Sequence, residues 1–320
     1  MEHAIKERTT GDRQSTSLTW SREPVRLSIR FGPIPLLQCK FVALVCQTHF
    51  SRLTSMPELP ALQDRTDLTL VRSVPVEYVP KRFGMSGGLL YYVPAEFPHY
   101  STDLQTTFEQ YLGRFSSKTR STLTRKVRKF REAAGTPEVL REYKTPDELA
   151  RFYDIARPIS AKTYQEHLLH TGLPNSDGFR SHMLALGSED NVRAYTLHLG
   201  DKAVAYLYCP AVDGILIYEF LGYDPEFSDL SPGTVLQYLA FERLFAEGKF
   251  RLFDFEEGEG QHKRQFGTQC QTCADVYVFR ASPKSIVYVG MHSLFTRLTR
   301  SSIRLFDKLG LRTRVRRLLR

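Results

Sequence analysis

No apolar run in this chain is long enough to cross a bilayer as a helix, so a helical membrane span is not expected. The first residues, Met1 to Glu23, are polar and of mixed charge with no apolar h-region. They read as a loose tail, and no secretory signal is expected. Cysteine is scarce: Cys39, Cys46, Cys209, Cys270 and Cys273 are five in number and scattered. Cys270 and Cys273 form a lone C-x-x-C without the second pair or the histidine pair of a structural zinc site. No metal is therefore expected, and reduced thiols of a cytosolic protein are the plainer reading. A Gly-Lys-Ser/Thr triplet is missing, which argues against a P-loop nucleotide site. No internal repeat is evident.

Acidic residues are missing in two places. Arg114 to Arg131 contains eight basic residues and no acidic one. From Pro283 to the C-terminus ten basic residues face one acidic residue, Asp307, so this segment alone carries the +9 of the whole chain. The body without it is nearly neutral, which points to two specific basic elements rather than a nucleic-acid-coated surface.

What is present is an ordinary globular composition, 42% hydrophobic and 25% charged over 320 residues, enough for one large or two modest domains. Pro24 to Pro98 is strand-like and rich in turns. Thr106 to Ala134 reads as helix, with a break and restart at Phe115-Ser116-Ser117-Lys118. Leu123, Val127 and Phe130 form its apolar face, with Arg125, Arg128 and Lys129 off that face. A solvated basic face and a surface for an acidic substrate both fit. Further on, Thr145 caps a helix from Pro146, Ser160 to about Gly172 reads as helical, and so does Phe179 to Leu186. Gly200-Asp201 and Asp213-Gly214 are tight-turn signals that would join three antiparallel strands, the last running from Ile215 to Leu221.

The segment from Ile215 to Phe266 is the most informative. After the strand and the turn-rich Gly222-Tyr223-Asp224-Pro225, Ser231-Pro232-Gly233-Thr234 reads as a helix start. Ser231 stands at the N-cap, Pro232 at the first helical position and Gly233 next. A helix N-terminus with a glycine in its first turn suits a phosphate, because its N–H groups and dipole favour an anion. A plain strand–helix–strand crossover with a good cap fits the same pattern. Leu236, Leu239, Ala240 and Leu244 form the helix face, Gly248 ends it, and Phe250 to Phe255 reads as the return strand.

Motifs in this order resemble the GNAT acetyltransferase superfamily, and within it the CelD/BcsL-like branch linked to cellulose and exopolysaccharide synthesis and related to the FemAB aminoacyltransferases. The match is carried by Phe115 to Arg120, Arg125 to Phe130, Lys162-Thr163-Tyr164-Gln165, Gly222 to Pro225, Ser231 to Thr234, Asp254-Phe255, and Gly258-Glu259-Gly260 with Lys263 and Phe266. In place of the superfamily's Q/R-x-x-G-x-G/A loop the chain has Leu230-Ser231-Pro232-Gly233. The resemblance implies an α/β fold with a mixed sheet, the GNAT acyl-CoA N-acyltransferase fold. It also suggests a division into a disordered tail (1–23), a small N-terminal lobe (24–104), the acyltransferase domain (105–282) and a basic amphipathic helical tail (283–320).

The implied chemistry is acyl transfer from acetyl-CoA or another acyl-CoA to an amine or hydroxyl. Pantetheine would lie along the strand up to Leu221, and pyrophosphate around Ser231, Gly233 and Thr234, with Lys263 as a further phosphate or carboxylate ligand. Direct attack on a thioester needs a base and an acid. Glu219, Asp254 and His262 are the candidate catalytic residues. Arg120, Arg128, Tyr164 and Tyr223 are candidate acceptor contacts, with both tyrosines able to donate a proton. Each also has a structural explanation: a solvent-facing strand residue, a surface histidine, a core tyrosine.

In the tail, Met291, Leu294, Phe295, Leu298, Leu305, Phe306 and Leu309 recur at helical spacing, with Arg297, Arg300, Arg304 and Lys308 on another face. Such a helix suits an anionic membrane surface or packing on a partner or on the protein's own body. The leading expectation is an acyl-CoA-dependent N- or O-acyltransferase of cell-envelope or exopolysaccharide metabolism. It would be cytoplasmic, with peripheral contact at the inner membrane face. The alternative is a non-catalytic GNAT-like module recruited to a membrane polysaccharide machine. A nucleic-acid partner is the least expected.

Overall fold

A long hairpin opens the described chain. The computed structural model describes residues 19–31, 34–62, 66–163 and 172–308. Strand β1 (Trp20–Phe31) pairs antiparallel with β2 (Ile34–Cys46), and β3 (Leu68–Pro75) lies parallel to β2. Val25, Leu27 and Ile29 of β1 alternate into the core, as do Phe41, Ala43 and Val45 of β2. Trp20 to Glu23, expected in the loose tail, therefore belong to a strand. Their pairing with residues 43–46 is a long-range contact that local composition does not announce. A short hairpin follows, β4 (Phe83–Ser86) and β5 (Leu89–Tyr92), turned by Gly87 and Gly88 with φ of 58° and 75°.

The next unit spans Phe97–Gln271. Its elements are β6 (Glu96–Asp103), α1 (Phe108–Gly113), α2 (Ser117–Ala134), β7 (Leu140–Tyr143), α3 (Pro146–Ala161) and α4 (Asp177–Ser188). They continue with β8 (Val192–Leu199), β9 (Lys202–Val212), β10 (Ile215–Ile217), β11 (Phe220–Tyr223), α5 (Pro232–Glu247), β12 (Leu252–Glu257) and α6 (Gln261–Phe266). Thr107 with Gln110, and Thr145 with Glu148, form the capping boxes of α1 and α3, and Ser116 caps α2 at the expected restart. The strands run β7-β8-β9-β10-β12-β6, antiparallel except for the parallel β10–β12 pair. That mixed sheet with helices is the expected α/β class.

Strand β9 is buried on both faces. Ala205, Leu207 and Cys209 pack with Leu123, Val127 and Phe130 of α2 and Val235, Leu236 and Phe241 of α5. Tyr206 and Tyr208 pack on the other side with Phe152 and Ala156 of α3 and Met183 of α4. Two covered faces explain why β9 reads as a nearly continuous apolar run after Lys202.

The chain then returns to the first unit through β13 (Gln269–Arg280), which pairs antiparallel with β3 and β5, and α7 (Pro283–Lys308). The two units, Phe97–Gln271 and the chain on either side of it, do not follow the division at 104 and 282 drawn from the sequence. The reason is topological: β13 inserts between strands that precede it by some 200 residues. Ser282 and Ser285 cap α7, and the Tyr288 hydroxyl donates to the Leu27 carbonyl of β1 at 2.8 Å. The helix thus seats Tyr288 and Val289, with Phe295 half buried, on its own unit. Met291, Leu294 and Leu298, part of the apolar face read from the sequence, are 41%, 56% and 46% exposed. Leu309 lies outside the described residues. Among those residues no helix is long and apolar enough to cross a membrane.

Candidate active site

The expected single strand from Ile215 to Leu221 is broken in two, and the break makes the site. The last bond between β10 and β12 runs from the Tyr218 N–H to the Asp254 carbonyl at 2.8 Å. Beyond it β11 stays with β9, pairing Phe220 with Tyr208 through Tyr223 with Ala205, while β12 follows β6. A bulge at Glu256, with φ of 59°, turns β12 further away. A slot therefore opens between strands that are paired one residue earlier.

The slot holds a cavity of about 440 Å3. Tyr218, Leu221 and Tyr223 form one wall, Gly233, Thr234 and Gln237 of α5 a second, and His262 and Phe266 of α6 a third. Two expected motifs meet behind it. Lys162 Nζ pairs with the buried Asp224 carboxylate at 2.8 Å, and Thr163 lies against Gly222. A Cβ on Gly222 would stand 2.5 Å from Tyr206 and 2.9 Å from the Thr163 methyl, so this strand tolerates only glycine there. At Gly233 a Cβ would sit 3.4 Å from Leu221, narrowing the slot.

The start of α5 differs from the expected cap. Ser231 is at the N-cap but in the left-handed region (φ 53°, ψ 48°), and its side chain makes no cap bond. The 3-10 turn Pro225–Leu230 ends directly against it and sets that geometry. The N–H groups of Ser231, Thr234 and Val235 bond to Ser228 and Ser231 carbonyls, and Pro232 has none. The first turn thus presents chiefly the Gly233 N–H, a narrower cradle than the sequence suggested. Cations compensate. Lys126 Nζ reaches Thr234 Oγ1 at 3.5 Å, and Lys129 Nζ donates to the Asp229 carbonyl at 3.1 Å. Burial of Leu123, Val127 and Phe130 turns this edge of α2 toward the start of α5. Arg120 instead donates to its own Phe115 carbonyl at 2.6 Å, and exposed Arg128 pairs with Glu132 at 3.5 Å. Neither lines the cavity. Tyr164 lies outside the described residues.

The three candidate catalytic groups are not brought together. Glu219 sits at the break between β10 and β11, beside the slot-lining Tyr218. Part of its side chain reaches solvent, yet burial of the carboxyl, and then the Glu256 carboxylate, raise its pKa to about 7. Asp254 is buried on the sheet face opposite Phe253 and Phe255. There its Oδ1 meets His99 Nε2 at 2.6 Å and accepts the Glu256 N–H at 2.8 Å, holding the bulge. His262 is on the other face, its ring stacked on Tyr218 at 5.3 Å. Burial first, and the Lys263 charge second, lower its pKa, so the imidazole is neutral at neutral pH. Lys263 Nζ donates to the Glu257 carbonyl at 2.6 Å and braces the end of β12. His99, Lys126, Lys129 and Gln237 were not singled out as site residues. Only the basic run around Lys126 and Lys129 left any trace in the sequence.

Residues 117–264 match the model of the Acetyltransferase (GNAT) domain family. That span holds α2, α5, the start of α6 and every slot-lining residue except Phe266. Solved structures with partial likeness include FemX, at 10% identity over 81% of this chain and 88% of that one, TM-score 0.48. L-PGS from Bacillus licheniformis shows 13% identity over 71% and 72%, TM-score 0.44. A GCN5-related N-acetyltransferase from Kribbella flavida shows 11% over 75% and 82%, TM-score 0.37. No curated protein matches the chain. GNAT domains take acyl-CoA as co-substrate. Over residues 117–264 the chain is thus similar to the GNAT acetyltransferase domain family.

Proposed function

We propose that this protein transfers an acyl group, acetyl in the simplest case, from acyl-CoA to an amine or hydroxyl acceptor of cell-envelope or exopolysaccharide metabolism, from the cytoplasmic side. The observation that carries the transfer reading is the slot between β11 and β12, leading away from the start of α5. Pyrophosphate at the Gly233 N–H, with Lys126 and Lys129 beside it, sends the pantetheine arm between the strands toward Tyr218. Glu219, with its pKa near 7, takes the proton of the attacking acceptor. The acceptor forms its bond to the acyl carbon, the C–S bond breaks, and the Tyr223 hydroxyl supplies a proton to the leaving thiolate. The motif resemblance, carried by the order and spacing of the motifs together, points the acceptor to envelope glycan chemistry of the CelD/BcsL-like kind.

Isothermal titration with acetyl-CoA and longer thioesters is the test. The intact protein is expected to bind at least one thioester. The Lys126→Ala, Lys129→Ala double variant is expected to bind it about tenfold more weakly, with a shallower salt dependence. Failure of every thioester to bind would sink the catalytic reading and leave a non-catalytic module.

A second reading concerns the location of the protein. Val287, Met291, Leu294 and Leu298 lie at spacings of four, three and four, and all are exposed, with Arg297 among them. An exposed apolar stripe in a segment of charge +9 fits peripheral contact with an anionic lipid surface. The intact protein should sediment with phosphatidylglycerol vesicles at low salt, and the Leu294→Glu, Leu298→Glu variant should stay in solution. Equal sedimentation of both rejects this contact.

A further inference from the structure

On α5, Gly233 and Thr234 precede Gln237 by four and three residues and Phe241 follows it by four, so all lie on the face that Gln237 presents. The first three line the slot, and Phe241 packs below them against Phe253, Phe255 and Phe266. Gln237 thus stands about one helical turn, roughly 5 Å, deeper than the start of the helix. It is the anomaly of this face. The residue is 2% exposed, and neither Oε1 nor Nε2 has a hydrogen-bond partner among the described residues. A buried carboxamide without partners is costly, and side chains so placed are normally satisfied. The surroundings offer little remedy. Leu221, Phe266 and the ring of Tyr218 give apolar surface, and Thr163 Oγ1 already donates to the Ser160 carbonyl at 2.8 Å.

The geometry points to Gln237 as the residue that recognises an amide in the ligand occupying this slot. A carboxamide offers one acceptor and two donors, so it is best answered by a group that both donates and accepts. A charged group there would meet an apolar wall, and a hydrocarbon chain would leave the amide unanswered. This rests on the slot being the acyl-CoA arm's channel, as proposed above, and adds what the channel selects. Two sources carry the chemistry: the secondary amides of the pantetheine arm, and the amides of a peptide-like acceptor. In either case the anion at the start of α5 and the amide one turn below it are read by the same helix. A thioester ligand lacking amides would bind poorly even with its phosphates intact.

The test compares the full-length protein with Gln237→Leu, and with Gln237→Met as a second variant of similar length. Isothermal titration uses three probes: CoA, adenosine 3′,5′-bisphosphate, which carries phosphates but no amide, and N-acetylalanine methylamide, which carries amides but no phosphate. Both variants are expected to bind CoA about tenfold more weakly and adenosine 3′,5′-bisphosphate unchanged. Without ligand they should unfold at no lower urea concentration than the parent, since they lose an unanswered buried amide. A loss confined to N-acetylalanine methylamide also supports amide recognition and assigns the source to the acceptor. Equal CoA binding by parent and variants overturns the role of Gln237 while leaving the CoA reading intact. A parent that binds only N-acetylalanine methylamide, in a Gln237-dependent way, overturns the CoA reading instead. Destabilisation of both variants without ligand makes Gln237 structural and overturns the proposal.

Discussion

Replacing Glu219 with glutamine is expected to lower kcat by about 10²- to 10⁴-fold, the usual worth of a positioned general base. CoA affinity should be unchanged, because the carboxylate acts on the acceptor proton. The pH profile separates this role from a structural one. A base must be unprotonated to act, and the Glu219 pKa lies at about 7. The rate of the parent should therefore fall about tenfold per pH unit below that value and level off above it, and the glutamine variant should lose this limb. Release of the CoA thiol across pH 5.5 to 9 measures both. An unchanged rate, or a limb that survives the substitution, rules Glu219 out as the base and turns attention to His262. Stability carries the opposite sign. The folded pKa is above the usual glutamate value, so the folded state holds this proton more tightly. The Glu219 contribution to stability is full below about 4.5, the usual value, and is lost as pH rises through about 7.

Arg193→Ala should cost about 2–3 kcal/mol of unfolding free energy, because it removes the charged hydrogen bonds of a buried guanidinium and leaves the largely buried Glu247 carboxylate only the Lys144 ammonium at 3.5 Å. Arg193, at the start of β8, is 1% exposed. Its Nε donates to Glu247 at 2.9 Å, its Nη2 pairs with the same carboxylate, and its Nη1 donates to Asp190 at 2.6 Å. The guanidinium also lies 4.9 Å from the centre of the Phe250 ring. Burial alone would raise the Glu247 pKa, but the Arg193 bonds outweigh it and hold it below the usual value. The network is thus in place above the usual carboxylate range and is lost as pH falls through the depressed value. Glu247 is the last residue of α5, whose first turn borders the slot, so a loosened helix end should also weaken CoA binding. Arg193→Lys keeps the charge without the planar fork and should fall between the two. Urea unfolding decides: a loss under about 1 kcal/mol would show that the cluster behaves as a surface pair.

Several elements were legible because their causes are local. Ser116 and Thr145 cap helices within three residues of themselves, and Gly200 and Asp213-Gly214 turn hairpins whose strands follow at once. The face of α2 and the stop of α5 at Gly248 obey the same short-range rules. The start of α5 was legible in position but not in form. A Ser-Pro-Gly-Thr run marks a helix start, yet the preceding 3-10 turn forces Ser231 into the left-handed region. Asp254 and His262, eight residues apart, looked like neighbours. Strand alternation puts them on opposite faces, and the partner of Asp254 is His99, 155 residues away.

The sequence by itself determined the order of elements, their caps and turns, and the motif set that is similar to the GNAT domain family over 117–264. Tertiary structure decided where the strands part. A run such as Ile215 to Leu221 carries the same β-branched and aromatic preference throughout, whereas its break depends on β9 holding one half and β12 the other. It also decided which cations reach the start of α5, and left Gln237 buried in the slot without a hydrogen-bond partner among the described residues. Such features depend on contacts between residues from 12 to 108 positions apart, and no local propensity reports them.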